Sequence, residues 1–197
     1  MKLRFMVMAL VALVVLAGCG SATDAKDPAT SNKISAAPQA TVDKYDAAGN
    51  AATVATNQMT SILTAIQGGT GGTFDSTTRT YTITYPKDAK GIALAGTLQQ
   101  TGVSPNLTTV MDLTFTLTDV SVTYGTSTAK ISGTFTMKGT SVVSSGSSSG
   151  TSTMTVDMTG VDASSKTFTV KIAVTSNSAT GVATGTVVVD GVTYSIS

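Results

Sequence analysis

Ser127-Thr128-Ala129-Lys130 has the Ser-x-x-Lys spacing at which a lysine can act as base for a serine nucleophile. That chemistry needs both side chains on one face. The first turn of a helix supplies this, whereas positions i and i+3 of a strand point to opposite sides. The surrounding residues alternate apolar and polar, so a strand is expected here and no catalytic pair. The companion elements Ser-Asp-Asn and Lys-Thr-Gly are missing, Lys138-Gly139-Thr140 having the reverse order. Asp43 and Asp46 are spaced to share a helix face and could pair two carboxylates. Standing in a first helical turn after a polar stretch, they are expected to favour the helix dipole and stay solvated. Asp75, Asp162 and Asp190 fall at apparent turns, where Asp bonds its own backbone. Gly68-Gly69-Thr70-Gly71-Gly72 is as glycine-rich as a phosphate loop. It follows a helical pattern instead of preceding one and has no Gly-Lys-Ser/Thr, so a linker is expected.

What the chain lacks narrows the chemistry further. Its 197 residues include no His and one Cys, and all 11 acidic residues are Asp. The usual ligands of zinc, haem and iron–sulfur sites are therefore missing, as are the commonest acid–base groups. No Asp-x-Asp-x-Asp-Gly calcium loop occurs. The expectation is a protein that is not an enzyme and carries no metal or cofactor. In place of charge the chain has hydroxyls: 38 Thr and 22 Ser, with 12% charged residues. That charged fraction is about half of the roughly 25% usual in globular domains. The formal charge is +1, and without Lys2 and Arg4 the remaining 10 of 12 basic residues face 11 acidic ones. No dense Lys/Arg face can form, which argues against a nucleic-acid partner.

The N-terminus is a different kind of text. Lys2 and Arg4 precede an unbroken apolar run of 12 residues from Phe5 to Leu16, followed by Ala17-Gly18-Cys19. An α-helix needs about 20 apolar residues to span a bilayer, so the run is read as the core of a signal peptide. Leu16-Ala17-Gly18-Cys19 resembles the lipobox of bacterial lipoproteins. The resemblance covers residues 1–19 only. It implies that residues 1–18 are cleaved and that Cys19 becomes a lipid-modified first residue, a covalent anchor to the membrane. Gly20 stands where members kept at the inner membrane often carry Asp. The resemblance thus implies the outer membrane, facing the periplasm, if the host is diderm.

Residues 19–40 are Ser, Ala, Thr, Asp, Lys and Pro with almost nothing to bury, and are expected to form a disordered tether. A flexible coil of that length reaches about 25 Å. From residue 41 to residue 66 the period becomes helical, with Val42, Tyr45, Ala52, Ala55, Met59, Ile62 and Ile66 along one stripe. Thr41 is the expected N-cap, and Gly49-Asn50 a point where the helix could break. Beyond Gly72 the chain alternates strictly, with Thr on the polar phase, as in Tyr81, Ile83 and Tyr85 or Met111, Leu113, Phe115 and Leu117. Such a pattern means antiparallel strands dry on one side and wet on the other. The apolar phase slips between Leu117 and Val120, which predicts a β-bulge near Thr118-Asp119. Asp190-Gly191 predicts a two-residue hairpin that places Val189 opposite Val192, Val187 opposite Tyr194 and Gly185 opposite Ile196. The Ser- and Gly-rich stretch between Lys138 and Thr153 is expected to be a mobile hairpin loop.

Gly96, Gly133 and Gly185 each occupy the apolar phase, as expected where a sheet coils tightly. The fold expected is α+β and mostly β: one domain over residues 41–197, with an N-terminal helix on a curved, half-barrel-like antiparallel sheet of about seven to nine strands. A β-sandwich is the alternative. An outer-membrane barrel is disfavoured, since its exterior needs an apolar band where this chain has Thr. Met111, Met137, Met154 and Met158 share the inward phase with the phenylalanines; they read as core, or as an adaptable apolar pocket with Tyr81, Tyr85, Tyr124 and Tyr194 near its mouth. The function expected is a non-catalytic structural or scaffolding lipoprotein of the cell envelope. The alternative is a carrier of a lipid or other small apolar ligand.

Overall fold

In the computed structural model, residues 37–103, 106–144 and 147–196 are described. Among the described residues two helices, α1 (Gln39–Asn57) and α2 (Met59–Gln67), precede nine strands. These are β1 (Gly72–Asp75), β2 (Thr80–Tyr85), β3 (Ile92–Val103), β4 (Asn106–Tyr124), β5 (Ser127–Ser144), β6 (Ser147–Asp162), β7 (Thr167–Asn177), β8 (Val182–Val189) and β9 (Val192–Ile196). They form one antiparallel sheet in the order β1 to β9, each strand beside its sequence neighbour, with β1 and β9 as edges. The sheet is antiparallel, as the alternation predicts, and curved and open, as the inward glycines predict, and α1 lies along its inner face against β4 to β8.

Registers align the inward residues into rows. One row runs Ile83, Gly96, Leu113, Met137, Met154, Val174, Gly185 and Ile196 across β2 to β9. The next runs Tyr85, Leu94, Phe115, Phe135, Val156, Ile172, Val187 and Tyr194. Glycine interrupts such rows where a neighbouring strand's backbone comes close. A Cβ added at Gly96, Gly133 or Gly185 would overlap the carbonyl oxygen of Asp112, Asp157 or Ala173 on the next strand. Gly133 also holds φ at +139°, which a side chain rarely adopts. At Gly160 the ring of Phe168 on β7 occupies the space a side chain would take, so the gap is filled by a cross-strand aromatic.

The bulge and the hairpin lie where the sequence puts them. The β4–β5 register shifts between Leu117 and Val120, with Asp119 at φ 52° and its N–H donating to Ser132 Oγ at 2.9 Å. Asp190 and Gly191 both have positive φ, 49° and 85°, the type I′ combination, and the three expected pairs form across β8 and β9.

Three local expectations need correction. The helix starts at Gln39, not after a Thr41 cap: Pro38 is the N-cap, without a side-chain cap bond, and its carbonyl accepts the N–H of Thr41 and Val42. Proline's fixed φ suits the entry, and its missing N–H costs a helix start nothing. Second, α1 runs unbroken through Gly49-Asn50 and yields only at Gln58. Gly49 is buried between Ala48 and Ala51 on the face turned to the sheet, and Asn50 Nδ2 donates to Thr123 O at 2.8 Å. Tertiary packing thus overrides glycine's local cost. Third, the expected loop between Lys138 and Thr153 is mostly sheet: β5 and β6 stay paired from Lys138–Thr153 out to Ser144–Ser147. The small residues fit inward positions on a tightly coiled end, where Ser141 and Ser152 are buried and Ser152 Oγ lies 2.7 Å from Ser176 Oγ.

Replacing Gly133 by Val should destabilise the domain by about 3 kcal/mol, the upper part of the usual single-substitution range. Urea unfolding followed by circular dichroism measures it; an unchanged midpoint would show that the inward glycines do not set the curvature.

Candidate functional site

Cys19 and the preceding Leu16, Ala17 and Gly18 lie outside the described residues, as does most of the expected tether. The other sequence candidates can be placed. Ser127 and Lys130 both lie on β5, where Ala129 and Ile131 point inward, so Ser127 falls on the inward phase and Lys130 on the outward one. Asp43 and Asp46 both lie on α1 but beyond its first turn, because the helix starts at Gln39, so the expected dipole role is not met; Asp43 Oδ1 accepts a hydrogen bond from Gln39 Nε2 at 2.8 Å. Burial, reinforced by the negative charge of Asp43, pushes the Asp46 carboxyl above its ordinary pKa. Among the described residues no three of His, Cys, Asp and Glu come together as metal ligands.

The turn aspartates bond their own loops. Asp75 Oδ1 accepts the N–H of Thr77 at 2.8 Å, which holds its carboxyl below the usual range. Asp162 Oδ1 accepts the N–H groups of Ser164 and Lys166 at 2.8 and 2.9 Å. Asp190 does more. Its N–H donates to Thr169 O, its Oδ1 accepts the N–H of Thr169 at 2.8 Å, and its Oδ2 meets Lys44 Nζ at 2.6 Å. The hydrogen bond from Lys44 is the main reason that its carboxyl titrates low. One side chain therefore joins β7, the β8–β9 turn and α1.

The hollow between helix and sheet is filled by the chain itself. Ala47, Ala51 and Ala55 of α1 have no exposed surface, and Met111, Met137, Met154 and Met158 are 1–7% exposed. Phe115 and Phe135 stack with ring centroids 5.4 Å apart. Tyr81, Tyr85, Tyr124 and Tyr194 are half-buried against this core. Burial, with smaller contributions from the charges of Asp162 and Asp43, raises the pKa of the Tyr124 phenol.

On the outer face, strand lysines are paired across strands with aspartates: Lys138 with Asp112 at 2.9 Å and Lys171 with Asp157 at 3.0 Å. No sequence signal gave these pairs, because their partners are 26 and 14 residues apart and meet only once the register is known. Lys130 has no such partner. Its cross-strand neighbours are Ser121 and Val161, and it lines an open groove of about 490 Å³ between the β4–β5 hairpin and the β6–β7 turn. The sequence singled out Lys130 for a different reason, its spacing from Ser127.

No protein family, curated protein or solved structure matches this chain.

The two perturbed helix-side carboxylates give opposite pH dependences. The lowered pKa of Asp190 means its stabilisation is fully present above the ordinary carboxylate pKa of about 3.9 and is lost as pH falls through the lowered value. Asp190→Asn should therefore lower the melting temperature at about pH 7 and have a shrinking effect in acid. The raised pKa of Asp46 means the opposite: its contribution is largest in acid and is lost as pH rises through the raised value. Asp46→Asn should raise the melting temperature at neutral pH. Thermal melts from about pH 3 to about pH 7 decide both, and same-signed effects of the two variants at neutral pH would contradict the assignment.

Proposed function

We propose that this chain is a lipid-anchored cell-envelope protein whose folded domain has a non-catalytic structural or scaffolding role. The observation that carries the reading is Leu16-Ala17-Gly18-Cys19 placed directly after a short apolar run and a positive N-terminus. A thiol at that position is the acceptor for diacylglycerol in the lipoproteins it resembles. Acyl chains contribute about 0.8 kcal/mol per buried CH₂, so two or three of them hold a protein on a membrane durably. The membrane is then the first partner, with the domain on the periplasmic side of the outer membrane in a diderm host.

The interior packing favours a scaffold over a carrier of apolar ligands. A carrier needs a cavity of several hundred Å³ under its lid, whereas here the methionines and the helix alanines fill the space between helix and sheet. The outward residues are mostly Thr, which hydrate well and suit an extended chain.

Cells grown with radiolabelled palmitate should label the wild-type protein and not a Cys19→Ala variant, and mass spectrometry should find the mature chain starting at Cys19. Equal labelling of both proteins removes the anchor from the proposal. Native mass spectrometry in mild detergent should return the acylated chain alone. A stoichiometric co-purifying lipid would replace the scaffold by a carrier.

A further inference from the structure

The outward lysines of the sheet follow a rule with one departure. Lys138 and Lys171 each face an aspartate on the neighbouring strand, so their charge is satisfied within the sheet. Lys130 stands on the same face, between Ser121 of β4 and Val161 of β6, and its ammonium has no hydrogen-bond or ion-pair partner among the described residues. It is also the strand lysine that lines the groove, together with Ser121, Thr123, Thr128 and Val161 on the same outward phase. We propose that this groove is a binding site for an acidic saccharide, with Lys130 taking the sugar's carboxylate.

Each wall supplies one part of the recognition. A lysine offers three donors and no acceptor, which suits an anion. The hydroxyls of Ser121, Thr123 and Thr128 both donate and accept, so they match the mixed hydrogen bonding of sugar hydroxyls. Asp162, on the phase of Ala129, keeps the adjoining turn in place through Oδ1. An ammonium set among hydroxyls suits a ligand that carries hydroxyls next to its negative charge. Val161, 41% exposed, gives an apolar patch against which a sugar ring can lie. The groove's volume of about 490 Å³ falls within the range usual for small-ligand sites. No residue of α1 lines it, and it does not depend on whether Cys19 carries lipid.

The test is an NMR titration of the full-length protein in mild detergent with three probes: a galacturonate oligomer, a neutral galactose oligomer of equal length, and inorganic phosphate. The galacturonate oligomer should shift the amides of Ser121, Lys130 and Val161 saturably. Lys130→Gln should weaken that binding by roughly tenfold, while Lys138→Gln changes it by less than about twofold. Both lysine side chains are on the surface, so both variants should fold, and circular dichroism verifies it. The proposal is overturned if no saturable shift appears, if the neutral oligomer binds as tightly, or if the two lysine variants weaken binding equally, as a bulk charge effect would. Phosphate binding as tightly as the sugar acid would also overturn it, by assigning the groove to bare anions.

Discussion

The close approach of α1 to a coiled sheet is the constraint on which the other features depend. A helix can sit inside a curved sheet only if its inward face is narrow, and α1 meets this with Ala47, Ala48, Gly49, Ala51, Ala52 and Ala55. The sheet answers with glycines at inward positions, which let neighbouring strands bend past one another. Larger residues on either partner would force the other away and wet the rows of Leu, Ile, Phe and Met between them. Two polar ties fix the helix in place: Lys44 to Asp190 near its start, and Asn50 to the carbonyl of Thr123 near its middle. Two directional bonds within a non-directional apolar contact set where the helix sits, while burial supplies most of the stability.

Much of this was legible in the sequence because the polar phase of the strands is so uniform. Thr on every second residue makes the inward set stand out, and the same contrast exposes the phase slip at Leu117–Val120 and the matched arms around Asp190-Gly191. The Ser- and Gly-rich ends of β5 and β6 were hidden for the converse reason. There the inward residues are Gly139, Ser141, Gly150 and Ser152, so no apolar alternation marks the strands, although the ladder continues. Sequence composition reads this as loop, and only coiling explains why small residues belong there. Gly49 misled in a similar way, since its helix-breaking tendency is local and its burial against the sheet is not.

The candidate chemistry divides along the same line. Ser127 and Lys130 look like a catalytic pair when read as spacing, and the strand sends them to opposite faces. What distinguishes Lys130 is a relation to residues far along the chain: it lacks the cross-strand aspartate that Lys138 and Lys171 have. No spacing rule contains that information, because it depends on register. The same holds for Lys44 and Asp190, which are 146 residues apart.

The strict succession β1 to β9 also has a bearing on how the polypeptide acquires its shape. Each strand's ladder partner is the one immediately before it, so a chain emerging amino end first can zip up strand by strand without waiting for distant segments. Hairpin connections between successive strands keep the closing loops shorter than crossovers would, which lowers their entropic cost. The packing of α1 on β4 to β8 and the clasp between Lys44 and the final hairpin bridge longer stretches, and the clasp cannot close until the last hairpin arrives. The start of the first helix is thus tied down only in the completed sheet.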